Sequence, residues 1–130
     1  MPLRSLNSPL LKWPDRAAVF DATRAWASRA GAVVPELQRV GVFGSYSRGD
    51  WGVGSDLDLI AIVAHSASRP HERAAAWETT SLPVPVDLLV YTPEEWSSLT
   101  AGESRFARVA RDEVSWIWAR DSATPTHRLP

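Results

Sequence analysis

The sequence predicts an α/β (or α+β) protein, in which helices pack against one small sheet. Helix and strand patterns alternate along 130 residues, as expected for this architecture. A chain of this length can bury a core without disulfides or a structural metal. Neither an internal repeat nor a linker divides it. We therefore expect a single domain over residues 1–130, with residues 121–130 as a flexible tail.

The first half of the chain is predicted to contain one helix and two strands. Residues 15–30 carry apolar side chains at helical spacing, and Gly31 is expected to lie just past the end of that helix. Residues 37–43 read as a short apolar strand that runs into a tight turn. After a loop rich in glycine, residues 56–63 read as a second strand with a buried apolar end.

The second half is predicted to add two or three helices and a third strand. Residues 69–80 have a helical pattern, and residues 86–91 have the pattern of a strand. A capping box that starts at Thr92, with proline next, predicts a further helix. Another short helix is expected over residues 103–111. Residues 114–119 fit either an edge strand or the end of that last helix, and the pattern does not decide between them.

Composition excludes several classes of function. The chain has no cysteine, which rules out disulfides, thiolate zinc sites and cysteine nucleophiles. A net charge of -1 gives no global signature for binding nucleic acid or an anionic membrane. The apolar runs have strand length and the N-terminus lacks a secretory signal, so a cytoplasmic protein is expected. The three histidines, His65, His71 and His127, are scattered and are predicted to be surface residues.

Two aspartates at the start of the second predicted strand are the strongest candidates for a functional site. Asp56 and Asp58 are two residues apart, so their side chains leave the same face of the strand. Adjacent carboxylates repel each other unless a cation lies between them. A site with oxygen ligands alone suits Mg²⁺ or Mn²⁺, which keep coordination positions for water and phosphate. The pair therefore indicates a phosphate-bearing substrate.

Three further residues support this interpretation. Gly44 would let the backbone approach a phosphate closely, and the Ser45 hydroxyl could donate to its oxygens. Asp87 lies inside the apolar pattern of the third predicted strand, where burial of an unpaired carboxylate would be expensive. Taken alone, a pair of aspartates at a strand start is more often a solvated strand end, and Ser45 could be an ordinary turn serine. The combination favours a site.

The residues between positions 44 and 59 form a motif with a recognisable pattern. They read Gly-Ser, then Arg-Gly, then Ser-Asp-Leu-Asp-Leu. This resembles the signature of the DNA polymerase beta-like nucleotidyltransferases, and it is most similar to the minimal bacterial group known as MNT. The resemblance covers roughly residues 40–91, and Asp87 matches the third carboxylate of that family. One departure is Ser47, where the minimal group often has alanine, a small-for-small change expected to leave the site intact.

The resemblance implies a fold and a reaction. The fold would be that of the polymerase beta-like nucleotidyltransferases, with a small mixed sheet, and ATP would be the substrate with Mg²⁺, as two ions, or Mn²⁺. Asp56 and Asp58 would hold the metal, and Asp87 would be a third ligand or the general base that orients an acceptor hydroxyl. Three carboxylates and two cations suffice for such a transfer, because it depends on positioning and charge neutralisation.

The resemblance also assigns the nucleotide-binding residues. Gly44 and Ser45 would contact the beta and gamma phosphates. Arg48 would either steady the triphosphate or brace the loop, and the sequence favours neither role. The attack would fall on the alpha phosphate, and pyrophosphate would leave.

The identity of the acceptor divides the functional hypotheses. Members of the minimal group commonly pair with a HEPN-type toxin ribonuclease and act as its antitoxin by adenylylating it, so a protein acceptor is expected rather than nucleic acid. A small-molecule nucleotidyltransferase of the antibiotic-modifying kind is the alternative, with a homo-oligomer completing the acceptor site. The rival from another class is a non-catalytic nucleotide-binding antitoxin module.

Seven tryptophans are a further unusual feature of the chain. Three of them fall on predicted helices and are expected in the core, namely Trp26, Trp77 and Trp96. For Trp51, in the glycine-rich loop, packing within the loop is favoured over stacking on a base. Trp116 and Trp118 are spaced by two, which on an edge strand would leave an aromatic face available to a partner.

Overall fold

A computed structural model describes residues 13–120 of the chain. The described residues begin with helix α1 (Arg16–Val33), strand β1 (Leu37–Phe43), a single helical turn α2 (Ser45–Arg48) and strand β2 (Leu57–Val63). They continue with helix α3 (Pro70–Arg73), a 3-10 turn (Ala74–Ala76), strand β3 (Val86–Tyr91), helices α4 (Pro93–Thr100) and α5 (Arg105–Asp112), and strand β4 (Ser115–Ala119). Helices and strands thus alternate as the sequence predicts.

The four strands form one mixed sheet in the order β3-β2-β1-β4. β1 runs antiparallel to both of its neighbours, whereas β2 and β3 are parallel. The segment between β2 and β3 contains α3 and the 3-10 turn, which is the kind of crossover that a parallel pair requires. The predicted α/β fold with a small mixed sheet is confirmed.

Both faces of the sheet are covered, and β2 shows how the sequence divides between them. Leu57 and Leu59 belong to a core cluster shared with α1, while Ile60 and Ile62 belong to a second cluster shared with α4 and α5. Successive side chains of a strand point to opposite faces. Asp58 therefore lies on the face that α4 and α5 cover.

Two boundaries differ from the sequence prediction, and packing explains both. α1 continues to Val33, past Gly31, where a Cβ would lie 2.6 Å from Cη2 of Trp118. The glycine admits a neighbouring ring rather than ending the helix. The helix predicted over residues 69–80 is wrong beyond residue 76, because Arg73 turns inward and bonds the carbonyl of Val90 and the carboxylate of Glu95.

Residues 114–119, which the pattern left undecided, contain the edge strand β4. Its pairing with β1 shifts register between Val40 and Gly41, which pair with Trp118 and Trp116 respectively. This bulge sends the two rings to opposite faces: Trp118 packs towards α1, whereas Trp116 meets Trp96 of α4 edge to face. The predicted common aromatic face of Trp116 and Trp118 is therefore wrong.

The other aromatic and histidine predictions have mixed outcomes. Trp26 and Trp96 are buried on helices as predicted. Trp77 follows the 3-10 turn instead and is only partly buried, 6.0 Å from the Trp26 ring. His65 and His71 are exposed, while His127 and the predicted tail 121–130 lie outside the described residues. Within residues 13–120, no helix has the length and apolar character needed to cross a membrane.

Candidate active site

Three aspartates lie at one end of the neighbouring strands β2 and β3. Asp58, in β2, pairs in register with Asp87 of β3, and Asp56 precedes β2 by one residue. Directly opposed residues of neighbouring strands point to the same side of a sheet. The structure thus brings the predicted carboxylates to one end of one face. Which roles they have stays a prediction.

The burial of these aspartates is uneven. Asp58 is half-buried, whereas Asp56 and Asp87 are exposed. The expectation that Asp87 is buried without a partner is wrong, because its side chain is exposed near the start of β3, the outermost strand of the sheet. Asp87 is a candidate site residue because it lies opposite Asp58, and not because it is buried.

Asp58 is the carboxylate with the most perturbed ionisation. Burial, followed by the negative charges of Asp87 and Asp56, raises its pKa to about 6, against a smaller lowering by Arg48. A carboxylate that is held among like charges favours the neutral form unless a cation is bound. The electrostatics at this end of the sheet therefore favour the binding of a positive ion.

Gly44 connects this carboxylate to the turn after β1. Its φ is +75°, a region that favours glycine, and a Cβ placed there would lie 2.1 Å from Oδ2 of Asp58. Any other residue would have to displace the carboxylate as well as adopt a strained backbone. The glycine thus holds the backbone of the turn directly against the Asp58 side chain.

A cleft of about 420 Å³ opens between this turn and α5. Its polar side is lined by Gly44, Ser45, Arg48, Ser55, Asp56 and Asp58, and its apolar side by Phe43, Phe106 and Val109. Asp87 does not line the cleft. The sequence motif includes Ser55 but assigns it no role, and the apolar wall was missed because no motif marks Phe106 and Val109, which are distant in sequence from Asp56 and Asp58.

Arg48 braces the loop and lines the cleft at the same time. Its guanidinium donates to Asp50 at 3.1 Å and to Glu113 at 3.3 Å, and these hydrogen bonds raise the pKa of Arg48. The neighbouring Ser47 hydroxyl donates to the carbonyl of Glu113 and lies 3.0 Å from the hydroxyl of Ser115. The serine that departs from the family pattern therefore ties the loop to the start of β4, which alanine could not do.

The back of the same loop packs against the opposite side of the sheet. The Trp51 ring stacks on buried Tyr46 with centroids 5.6 Å apart and planes 6° apart. The Tyr46 hydroxyl accepts from Nε1 of Trp13 at 2.8 Å, and its carbonyl accepts from Nε of Arg16 at 2.7 Å. Trp51 does not line the cleft. The predicted role of Trp51 in packing the loop is confirmed.

The residues at this end of the sheet fit a divalent cation, although they do not enclose one. Within the part of the chain that the structure describes, no three carboxylate or imidazole groups are close enough to hold a metal ion by themselves. Mg²⁺ is usually bound by one or two carboxylates, with phosphate and water oxygens completing its octahedron. An open carboxylate pair beside a glycine-serine turn is thus suited to a cation that arrives with a phosphorylated substrate.

Sequence comparison identifies the family. The model of the nucleotidyltransferase domain family matches residues 31–115, a span that contains β1, the glycine-rich loop, all three aspartates and α5. The chain belongs to this family, and the resemblance drawn from the motif is confirmed. A comparison with curated protein sequences finds no match.

Comparison with solved structures agrees on the fold. A protein of Sulfolobus solfataricus that is classed as a nucleotidyltransferase superposes with a TM-score of 0.60 at 19% identity, covering 82% of this chain and 86% of its own. A toxin-antitoxin structure with AMP-PNP reaches 0.46 at 19% identity over 74% and 73% of the two chains. A mutant of the toxin-antitoxin MntA-HpeT reaches 0.42 at 19% identity over 72% and 67%. Only the first of these similarities is close enough to show the shared fold.

Proposed function

We propose that the protein transfers AMP from ATP to a hydroxyl group of a partner protein. Nucleotidyl transfer follows from the family. The observation that supports a large acceptor is the placement of Asp58 and Asp87 side by side, with Asp58 bordering the cleft and Asp87 exposed at the edge of the sheet. An acceptor can reach this edge without entering the cleft.

The cleft side of the site would hold the nucleotide. Ser45, beside the close backbone approach at Gly44, would donate to phosphate oxygens, and the Arg48 guanidinium would add positive charge. Asp56 and Asp58 would hold Mg²⁺. One or two Mg²⁺ ions would neutralise the charge that develops on the triphosphate. None of these residues needs to form a covalent bond to the substrate.

The edge side of the site would activate the acceptor. Asp87 would accept the proton of the acceptor hydroxyl. The freed oxygen would form a bond to the alpha phosphorus while the bond from that phosphorus to the bridging oxygen breaks. Pyrophosphate would leave with the electron pair of the broken bond, and the acceptor would carry a phosphodiester-linked AMP. Asp58 would lie between the nucleotide in the cleft and the acceptor hydroxyl at Asp87.

A HEPN-type toxin is our candidate acceptor, and the resemblance of the motif to the minimal nucleotidyltransferases supports it. In that setting the protein would be a cytoplasmic antitoxin that inactivates its partner by adenylylation. The small-molecule alternative needs a wall that closes over Asp87. Asp87 is exposed among the described residues, so a second copy of the chain would supply such a wall.

Transfer of label from alpha-labelled ATP tests the proposal. Wild type, Asp58→Asn and the control Asp21→Asn, an exposed aspartate of α1, are incubated with Mg²⁺ and either a co-expressed HEPN-type partner or host-cell lysate. We expect wild type and the control to label one protein, and Asp58→Asn to label none. Label in a low-molecular-mass product alone would favour the small-molecule alternative. Equal signals from wild type and Asp58→Asn would favour the non-catalytic module.

A further inference from the structure

The cleft beside Asp58 has one wall that is built only from apolar side chains. α5 contributes Phe106 and Val109, and β1 contributes Phe43. The Phe43 and Phe106 rings meet edge to face, with centroids 5.6 Å apart and planes 65° apart, an arrangement that fixes aromatic rings in proteins. Phe106 is only partly buried, so part of this ring faces the cleft.

The polar residues of the cleft come from the turn after β1, the glycine-rich loop and the start of β2, and several of them are already engaged. Arg48 is bonded to Asp50 and Glu113, and the Ser55 hydroxyl accepts from the backbone N–H of Gly52 at 2.8 Å. The apolar wall therefore has no side-chain donor or acceptor within the described residues that line the cleft. It offers surface for packing but no side-chain hydrogen bond.

A nucleoside triphosphate has matching polarity along its length. Its phosphates carry the charge that suits the glycine-serine turn and a cation at Asp58, and its base is a flat ring that gains from aromatic contact. Placing the phosphates beside Ser45 leaves the α5 wall for the base. The reverse placement would bury phosphate charge against carbon atoms, which is expensive.

We infer that Phe106, supported by Val109, is the platform on which the nucleobase packs, and that the cleft does not read the edge of the base. This inference rests on the proposed function. Every base has a π face, so stacking without edge contacts tolerates all of them. The protein should therefore discriminate only weakly among the four nucleoside triphosphates.

The main competitor for this wall is an apolar group of the acceptor. The order of the sheet argues against it, because Asp87, Asp58 and Phe43 follow one another across β3, β2 and β1. The apolar wall is thus on the opposite side of Asp58 from Asp87. An acceptor that approaches Asp87 would meet the wall only by crossing the triphosphate.

Calorimetric binding of ATP and of inorganic tripolyphosphate, each with Mg²⁺, tests the inference. Phe106→Ala should weaken ATP binding by about tenfold, the scale of one base-aromatic stack, and leave tripolyphosphate binding unchanged. Phe106→Leu keeps apolar volume against Phe43 and should also lose affinity for ATP, while Phe106→Trp should retain it. Arg105→Ala, at the neighbouring exposed position outside the cleft, is the control and should change neither affinity.

Each other outcome overturns a defined part of the inference. Equal losses for ATP and tripolyphosphate would mean that Phe106 only supports the fold, and no loss for either would mean that the base binds elsewhere. A loss of transfer with unchanged ATP binding would assign the wall to the acceptor. Strong preference for one base, more than about fiftyfold across ATP, GTP, CTP and UTP, would show that the edge is read. Wild type that binds ATP through Phe106 but transfers nothing would refute the proposed function alone.

Discussion

Asp58 is held in an environment that opposes its own charge. Its pKa is raised from 3.8 to about 6 by burial and by Asp87 and Asp56, so the folded protein binds this proton more tightly than the unfolded chain. The stabilising contribution of that proton is fully present below pH 4 and is lost as the pH rises through about 6. At neutral pH the ionised carboxylate therefore lowers the free energy of unfolding of the metal-free protein.

Removing this charge should stabilise the protein at the cost of its activity. We expect Asp58→Asn to raise the free energy of unfolding in EDTA at pH 7.5 by about 1–2 kcal/mol, allowing for solvent screening of a half-buried group. The gain should vanish near pH 4, which denaturation at both pH values would measure. With Mg²⁺ and ATP the order should reverse, because only wild type would gain stability from the ligand. A destabilised Asp58→Asn in EDTA at pH 7.5 would contradict this account.

Gly44 can be compared with Gly49, a second glycine of the same loop. Both have positive φ, +75° and +93°, but a Cβ at Gly44 would strike Oδ2 of Asp58 at 2.1 Å, whereas a Cβ at Gly49 meets nothing within 4 Å. Gly49→Ala should have a backbone cost of about 1–2 kcal/mol for a left-handed residue. Gly44→Ala should cost more, because its φ of 75° and ψ of -152° lie in a region essentially limited to glycine. Only Gly44→Ala should displace Asp58.

Label transfer and urea denaturation separate these two effects. We expect Gly49→Ala to keep most of the transfer activity and Gly44→Ala to lose at least about tenfold, since small displacements of reacting groups are costly. If both variants lose activity equally, the contact with Asp58 has no special role. Gly44 would then matter only through its backbone conformation.

Among the elements, α3, β3 and α4 are joined by one buried ion pair. Arg73 is almost fully buried and donates to both oxygens of Glu95, at 2.6 and 3.0 Å, and to the carbonyls of Ser68 and Val90. Glu95 also accepts from the backbone N–H of Thr92 in the capping box of α4. These bonds, the one from Arg73 first, lower the pKa of Glu95 to about 2. This pair fixes the crossover between β2 and β3.

The charge of Glu95 should be a measurable part of the stability. Because its pKa is depressed, its contribution is present above about pH 4.5 and is lost as the pH falls towards 2. Glu95→Gln keeps the cap but not the charge, and should lower the free energy of unfolding at pH 7 by about 2 kcal/mol, given that a third of the side chain is exposed. Urea denaturation should show this deficit shrinking below pH 4.5, with the exposed neighbour Glu94→Gln as an unchanged control. A constant deficit at all pH values would contradict an electrostatic origin.

The elements differ in how far the sequence predicts them. The strands over residues 37–43 and 86–91 and the helix after Thr92 are predicted well, because alternation, apolar runs and a capping box are local signals. The break after residue 76 depends on Arg73 reaching a glutamate on another helix. The bulge in β4 depends on pairing with Val40 and Gly41. Such partners are distant in the sequence, so no local pattern could reveal them.

The candidate site shows the same division. Gly44, Ser45, Asp56 and Asp58 could be found because one motif places them close together in the sequence. Asp87 is distant from that motif and was found by its match to the third carboxylate of the family. Phe106 and Val109 come from α5, which is distant from the motif in the sequence. Only the fold brings them to the cleft. The exposure of Asp87 likewise follows from β3 being an edge strand, which the sequence leaves undetermined.

For the molecule as a whole, the sheet order separates the candidate site into two sides that meet at Asp58. The cleft, with Gly44 and Phe106, lies on the side of β1, and Asp87 lies on the side of β3. A nucleotide bound in the cleft would not need Asp87 for its own affinity. Binding and transfer should therefore respond differently to changes on the two sides.

Asp87→Asn is the variant that tests this separation. We expect it to abolish measurable transfer, because the acceptor hydroxyl would lose the group that accepts its proton, while its affinity for ATP in the presence of Mg²⁺ stays within about threefold of wild type, a change under 1 kcal/mol. Phe106→Ala should instead weaken ATP binding, and its transfer rate should recover at high ATP concentration. Calorimetry and label transfer on the same preparations measure both quantities. If Asp87→Asn instead weakens ATP binding as much as Asp58→Asn does, Asp87 is chiefly a ligand of the metal-nucleotide complex, and the acceptor must find its base elsewhere at the edge of the sheet.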